Sequence, residues 1–416
     1  FKNMKKFLFI PLFFLISAFI GHENPKLIEE PKKYIKFLLR NMNLIDNFAL
    51  NEIEIKQAES EKYKIEEKDK LIVEGNSYSL VLDKRINFDG RTAGFFIDNL
   101  KNKKFEFDVF LQNGLNIKNN STKEIFFPKD ISFDQNGGLK SIFKVNGKKL
   151  AIISNKNINC AYATIYEIET KNIILKTKCL PDMKNVDFNG LGGAVTEKEN
   201  YIYLSIGAPE WDSQEIRALA QEKDYLYGKV IRIQKDNFFD NSKKEPKIDI
   251  FTYGHKNPQG LTFANKFFFS IEHGPQGGDE INLIRKGKNY GWPEVSYGTE
   301  YNNGKSYKKF DQNFEKPLFT FLPSIAPSSM NICPDNLNKY YSDDICLMFL
   351  TLREMSLYVL LIDKQKLNVI SYEKFKIGER MRHFGKKNNQ LYQKNNTFFI
   401  SADGSGIFSA KFNNFR

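Results

Sequence analysis

The sequence predicts an all-β chain of the kind that closes into a β-propeller, on three observations. Short apolar runs, many of them β-branched or aromatic, recur from about residue 64 onward, and Asn, Gly, Lys or Asp bounds each one. Phe and Tyr, which favour strands, number 38 and 19 in 416 residues. Roughly 350 residues pass without the regular helix–strand alternation of an α/β fold. Blades of four short strands each fit that length.

Taken in order, residues 1–21 carry an address. Met4 reads as the start. Lys5 and Lys6 then precede a nearly unbroken apolar run over 7–21. A basic segment followed by such a run reads as a secretory signal, and the run is short beside the ~20 residues that span a bilayer. No clean small-x-small pair precedes His22, so an uncleaved membrane anchor through 7–21 stays open beside the signal reading. Residues 22–63 are charged, with Tyr34, Phe37, Leu38 and Met42 close to helical spacing. They read as a linker or helical extension. The main domain is expected over 64–416. Strands are expected near 71–73, 150–154, 163–168, 201–206, 229–233, 357–362 and 397–400. One helical interruption is expected at 213–223, with Ile216, Leu219 and Ala220 on one face. No internal period gives a blade count.

Net charge is +12, but Lys and Glu alternate along the whole length and no nucleic-acid motif accompanies them. Solvated lysine faces account for the balance. The four cysteines, Cys160, Cys179, Cys333 and Cys346, form no C-x-x-C pair, which argues against a zinc site. Export permits disulfides. Cys160–Cys179 and Cys333–Cys346 are then the natural pairs, and four free buried thiols are the alternative.

The richest stretch is 253–293. It reads Y-G-H-K-N-P-Q-G-L at 253–261, an aromatic strand over 266–271, E-H-G-P-Q-G-G-D-E-I-N-L-I at 272–284 and G-K-N-Y-G-W-P at 287–293. Glycine costs the most backbone entropy to order. Loops this rich in it either turn tightly or bring backbone close to a ligand or metal.

These motifs, in this order and at this spacing, resemble the soluble PQQ-dependent aldose sugar dehydrogenases, the glucose/sorbosone dehydrogenase family. The resemblance runs from about residue 137 to 406 and implies six blades. It implies PQQ and Ca2+ as cofactors, with calcium held by the carbonyls of Gly274 and Pro275, as suits a hard cation. It places Lys256 and Asn257 where the family has Arg-Asn; lysine keeps the charge and loses the planar fork. It places Arg353, Arg380 and Arg382 at cofactor-contacting positions. Strand spacing would put Arg380 and Arg382 on one face. Q-N-G-G-L at 135–139 resembles an early motif whose polar residue meets the quinone. The spacing is off by one, so Gln135 and Asn136 both stand as candidates. The ribbon at 220–233 also matches, and reads as structural.

One departure matters most. The family's catalytic histidine, in a motif of the form H-x-G-G-R, corresponds to Gly190, and its arginine to Ala194. A base there would take the hydroxyl proton while hydride passes to the cofactor. His255 and His273 belong to other motifs of the family and read as structural. Asp187 and His273 remain the candidate substitute bases. The expected function is an exported, periplasmic or membrane-anchored, PQQ- and calcium-dependent aldose dehydrogenase. The alternative is a propeller that binds PQQ or a carbohydrate without turnover. The sugar and the electron acceptor are not written in these residues.

Overall fold

The computed structural model of the chain describes residues 66–67, 70–99, 105–118, 121–210, 212–239 and 246–415. The signal or anchor reading of 1–21 and the linker reading of 22–63 lie outside them. Among the described residues no helix is long and apolar enough to cross a membrane.

Six sheets, antiparallel but for one parallel pairing of Lys386 with Phe96, form six blades. Their inner strands are Thr92–Asn99, Leu139–Val145, Gly192–Lys198, Asn257–Ala264, Pro327–Ile332 and Met381–Phe384, which define blades 1 to 6. Each inner strand neighbours the next, and blade 6 returns to blade 1, so the ring is closed. Closure comes from the two ends of the described chain. Ser79–Ile86 pairs with Gly406–Asn413 inside blade 6, so no blade is left with an open seam.

Both faces of each blade are covered, which is why the strands read as continuous apolar runs rather than alternating ones. Ala161–Glu167 is buried at every position. Each of the six seams between blades holds its own apolar cluster. Blades 2 and 3 meet through Phe143, Ile152, Leu204 and Ile231, and blades 5 and 6 through Met348, Leu357, Leu80 and Phe412. Ala194 lies in the seam between blades 3 and 4, among Tyr203, Leu261 and Phe268.

All seven expected strands are present. The helical interruption is shorter than its pattern suggested. It spans Gln214–Ala218, with Ser213 accepting the Ile216 N–H as its cap. A chain that short propagates poorly by itself. The Lys229 ammonium instead gathers the carbonyls of Leu219, Ala220 and Tyr227 at 2.7–2.9 Å and holds the following turn in place. Cys160–Cys179 and Cys333–Cys346 are both bonded, and there is no free thiol.

One device recurs in all six blades. Each inner strand slips register near its start, between Thr92 and Gly94, Leu139 and Ser141, Gly192 and Val195, Pro258 and Gly260, Pro327 and Ser329, and Met381 and Phe384. A bulge leaves residues without a cross-strand partner and re-aims their side chains. Repeated six times, it gives a ring of re-aimed positions.

Candidate functional site

Blade 4 supplies the glycine-rich loop. His273 ends the strand Phe267–His273, and Gly274 to Gly278 lead into Asp279–Leu283. Asp279 is 1% exposed and organises the loop. Its carboxylate accepts the Gly274 N–H at 3.0 Å, the Ser324 hydroxyl at 3.1 Å and the Ile325 and Ala326 N–H groups at 2.7 Å. A Cβ on Gly274 would collide with the Gly278 carbonyl, so only glycine fits. Gly274 and Pro275 are both buried and line a small pocket with Lys256, His273, Glu280 and Trp292. Among the described residues no group of three His, Cys, Asp or Glu side chains could hold a metal. Backbone carbonyls are the oxygen donors this loop offers, and a hard cation accepts such donors.

The two histidines of these motifs differ. His255 is fully buried. Its Nδ1 meets Glu272 and its Nε2 meets Thr252, both at 2.8 Å, and its ring stacks on Tyr290 at 4.6 Å. Both nitrogens are engaged, which fits the structural reading. His273 meets the Pro327 carbonyl through Nε2 at 2.6 Å. Since a carbonyl only accepts, that nitrogen carries the proton. Burial pushes its pKa down, opposed by nearby Asp279. Glu280, buried in the same pocket beside Glu272, is pushed well above the usual carboxylate range, chiefly by burial.

Lys256 and Asn257 open blade 4. The Lys256 ammonium lies 5.4 Å from the centre of the Trp292 ring. Asn257 is 4% exposed and turns away from solvent. Its Oδ1 accepts the Gly192 N–H at 3.0 Å, and its Nδ2 donates to the Asn189 carbonyl at 3.2 Å. It therefore pins both flanks of Gly190.

The turn at 187–192 is a short 3-10 segment, Phe188–Leu191, capped by Asp187. Asp187 Oδ1 accepts the Asn189 N–H at 3.0 Å and the Asn136 Nδ2 at 3.1 Å. Gly190 does not adopt a positive φ. A Cβ there would lie 2.9 Å from the Ala208 oxygen and 3.1 Å from the Pro209 Cα. Ala194 sits in the interblade seam, so this chain has an apolar contact where the resemblance implies a cation.

Gln135 and Asn136 both take left-handed backbone, with φ 52° and 59°. The Gln135 side chain accepts from Lys156 at 2.9 Å, and its carbonyl accepts the Phe188 N–H at 2.9 Å. Asn136, through Asp187, is the one tied by its side chain to the Gly190 turn.

Arg380 and Arg382 converge on Asp403. Arg382 binds it in bidentate fashion through Nε and Nη2, and Arg380 Nε lies 3.7 Å away. Arg380 lies one residue before the strand Met381–Phe384 and Arg382 in its bulge, and both reach the same carboxylate. Burial and Arg382 together lower the Arg380 pKa. Arg353 is exposed, and its charge and that of Lys256 both act on Tyr301. Lys256 and Arg382 in turn act on His273.

Sequence reading missed Asp279, Asp403 and two further cations, Arg91 and Lys140. Lys140 directly follows the Q-N-G-G-L motif, but the next residue, Ser141, is polar too, so nothing in the local pattern singles it out. Its Nζ donates to the Asn136 carbonyl at 3.0 Å.

A family model described as glucose / sorbosone dehydrogenase matches residues 165–396. The aldose sugar dehydrogenase YliI of Escherichia coli is 35% identical over 155 residues, 34% of this chain and 40% of that protein. Quinoprotein glucose dehydrogenase B of Acinetobacter calcoaceticus is 41% identical over 104 residues, 23% of this chain and 21% of that one. The matched stretches thus span less than half of either relative. The crystal structure of the apo-form of the soluble aldose sugar dehydrogenase from E. coli superposes with a TM-score of 0.62 at 20% identity, covering 81% of this chain and all of the other. The PQQ-bound aldose sugar dehydrogenase from Streptomyces coelicolor gives 0.54 at 17% identity, covering 80% and 98%. These two superpositions support the propeller fold.

Proposed function

Because this chain belongs to the glucose/sorbosone dehydrogenase family, we propose that it is an exported, PQQ- and calcium-dependent aldose dehydrogenase. The observation that carries this reading is the blade 4 loop. Its Gly274 admits no side chain and its carbonyls suit a hard cation, while Lys256, Arg353, Arg380 and Arg382 supply positive charge from blades 4 to 6. A flat tricarboxylate needs both. The two formed disulfides accord with an oxidising compartment. A small-molecule sugar is the proposed substrate.

When bound, the quinone supplies the hydride acceptor. The chain's own residues do the rest. Gly274 and Pro275 hold the metal through backbone oxygen. Arg380 and Arg382, already oriented by Asp403, present their remaining N–H donors to carboxylate, and charge-assisted bonds of this kind contribute about 1.5–3 kcal/mol each. Asn257 fixes the 187–192 turn. The sugar's hydroxyl proton goes to Asp187 in preference to His273. Asp187 stands in the turn that contains Gly190, and both of its hydrogen bonds fall on Oδ1. Its Oδ2 is left for a proton. His273 would have to accept at Nδ1, since Nε2–H is donated to Pro327, and burial lowers its basicity.

The test is titration of purified protein with PQQ, with and without calcium, followed by reduction of an artificial electron acceptor on adding aldoses. Calcium-dependent binding, weakened strongly by Arg380→Ala with Arg382→Ala, is the expected result. Calcium-independent binding, or no loss in the double variant, overturns the reading.

A further inference from the structure

The register slip that frees Arg382 in blade 6 also frees Lys140 in blade 2. In blade 2 the pairing runs from Leu139↔Ile153 directly to Ser141↔Ile152, so Lys140 has no partner. In blade 6 it runs from Met381↔Ala402 to Phe384↔Ile400, which leaves Arg382 and His383 against Ser401 alone. The two cations therefore hold corresponding positions, and blade 1 stands between them. Arg91 immediately precedes the blade 1 bulge. It is held next to the same cluster, because His383 Nε2 donates to the Thr92 carbonyl at 3.1 Å and the Gly404 N–H donates to the Gly90 carbonyl at 3.0 Å. Blade 3 offers Gly193 in its bulge, with no side chain to compete.

We propose that Lys140 and Arg91, which lie outside the motifs that mark the family, complete with Arg380 and Arg382 a cation cluster for a polycarboxylate ligand, and that Lys140 takes up a proton as that ligand enters. The proposal rests on the cofactor reading above and adds two binding residues and a proton linkage to it.

The charge balance supports it. Four cations from three neighbouring blades face two carboxylates, Asp403 and Asp187, and Asp403 is already engaged by Arg382. Lys140 feels Arg382 and Arg91 as repulsion and Asp187 as attraction. His383 and Lys386 of blade 6 also stand near, and Lys140 and Lys386 both act on His383. On its own blade 2, the near groups are the neutral Asn136 and Gln135, the latter holding Lys156. Burial first, and then the arginines, push the Lys140 ammonium down to about 7. A carboxylate placed among these cations adds an attraction that offsets their repulsion and favours the charged form. Binding and protonation are then linked. The ligand's carboxylates stay ionised throughout this range, so the titrating group belongs to the protein.

The experiment is calorimetric binding of PQQ with calcium at pH 6.5 and 8.5, in two buffers of different ionisation enthalpy. Benzene-1,2,4-tricarboxylate serves as a second, redox-inert probe. The expected wild-type result is a dissociation constant about 25-fold weaker at pH 8.5 than at pH 6.5, with close to one proton taken up at the higher pH. Lys140→Arg should bind tightly at both pH values with the dependence gone, since arginine stays charged. Lys140→Met should bind weakly at both, and Arg91→Gln should weaken binding of either probe. The same pH dependence in Lys140→Arg as in wild type, or no proton uptake, overturns the proposal. So does failure of both probes to bind. Binding of the tricarboxylate with proton uptake while PQQ does not bind would uphold the cluster and overturn the cofactor reading.

Discussion

Asn257 Oδ1 accepts the Gly192 N–H at 3.0 Å across the seam between blades 4 and 3. The same side chain donates to the Asn189 carbonyl. One buried amide in the 253–261 motif thus fixes the turn proposed to carry the proton acceptor. Asn257→Ala leaves the Gly192 N–H without its partner. It is expected to destabilise the protein by about 1–3 kcal/mol, and to speed hydrogen exchange at Gly192 more than in the outer strands. Unchanged exchange at Gly192 would show that the turn holds without this amide.

Gly190→His tests whether a base can be placed where the resemblance implies one. The added Cβ meets the Ala208 carbonyl at 2.9 Å and the Pro209 backbone at 3.1 Å, so backbone must shift. The variant is expected to melt lower and to gain less than the ~10²–10⁴-fold of a well-placed general base. Adding Ala194→Arg should make matters worse, because it buries a guanidinium among Tyr203, Leu261 and Phe268. A rise of about 10²-fold or more at unchanged melting temperature would contradict this.

Asp187→Asn and His273→Gln separate the two proton acceptors. Asp187→Asn keeps the cap geometry and is expected to cut turnover by about 10²-fold or more while PQQ stays bound. His273→Gln keeps a donor for Pro327 and should cost little turnover. The opposite ranking would move the base to His273.

His383 makes stability pH-dependent. Burial, with Arg382 and Lys386 adding to it, holds its pKa well below 6.5, and the neutral ring donates to Thr92. Below about pH 6.5 the unfolded chain gains a proton that the folded one refuses. The contribution of His383 is therefore present above that pH and lost as pH falls through it. His383→Gln, which keeps a donor and cannot titrate, is expected to show a shallower fall of melting temperature between pH 7 and 5. Parallel profiles for the two proteins would assign the acid sensitivity elsewhere.

Lys229→Met removes the ammonium from the carbonyls of Leu219, Ala220 and Tyr227. The loss expected in urea denaturation is at least the ~1–3 kcal/mol of one buried polar group left unsatisfied. Retained stability would show that the 219–227 turn repacks around methionine.

The sequence by itself determined the strands, because a chain buried on both blade faces must write them as apolar runs bounded by turn residues, as in Tyr201–Ile206 and Thr397–Ala402. It also determined the blade 4 loop, because Gly274 is dictated by a backbone contact only a few residues away. His255 reads as structural because its motif is separate from the one at Gly190, and its partner Glu272 lies 17 residues along the chain. What only the tertiary structure decided depends on partners far apart in the chain. Ring closure pairs Ser79–Ile86 with Gly406–Asn413. Arg382 faces Asp403 and Asn257 pins Gly192 only once the blades are assembled. Lys140 reads as an ordinary surface lysine until a bulge, invisible in composition or period, turns it toward Asn136 beside Arg382 and Arg91. A bulge is set by how two strands pair, and pairing register is a property of the fold rather than of either segment alone.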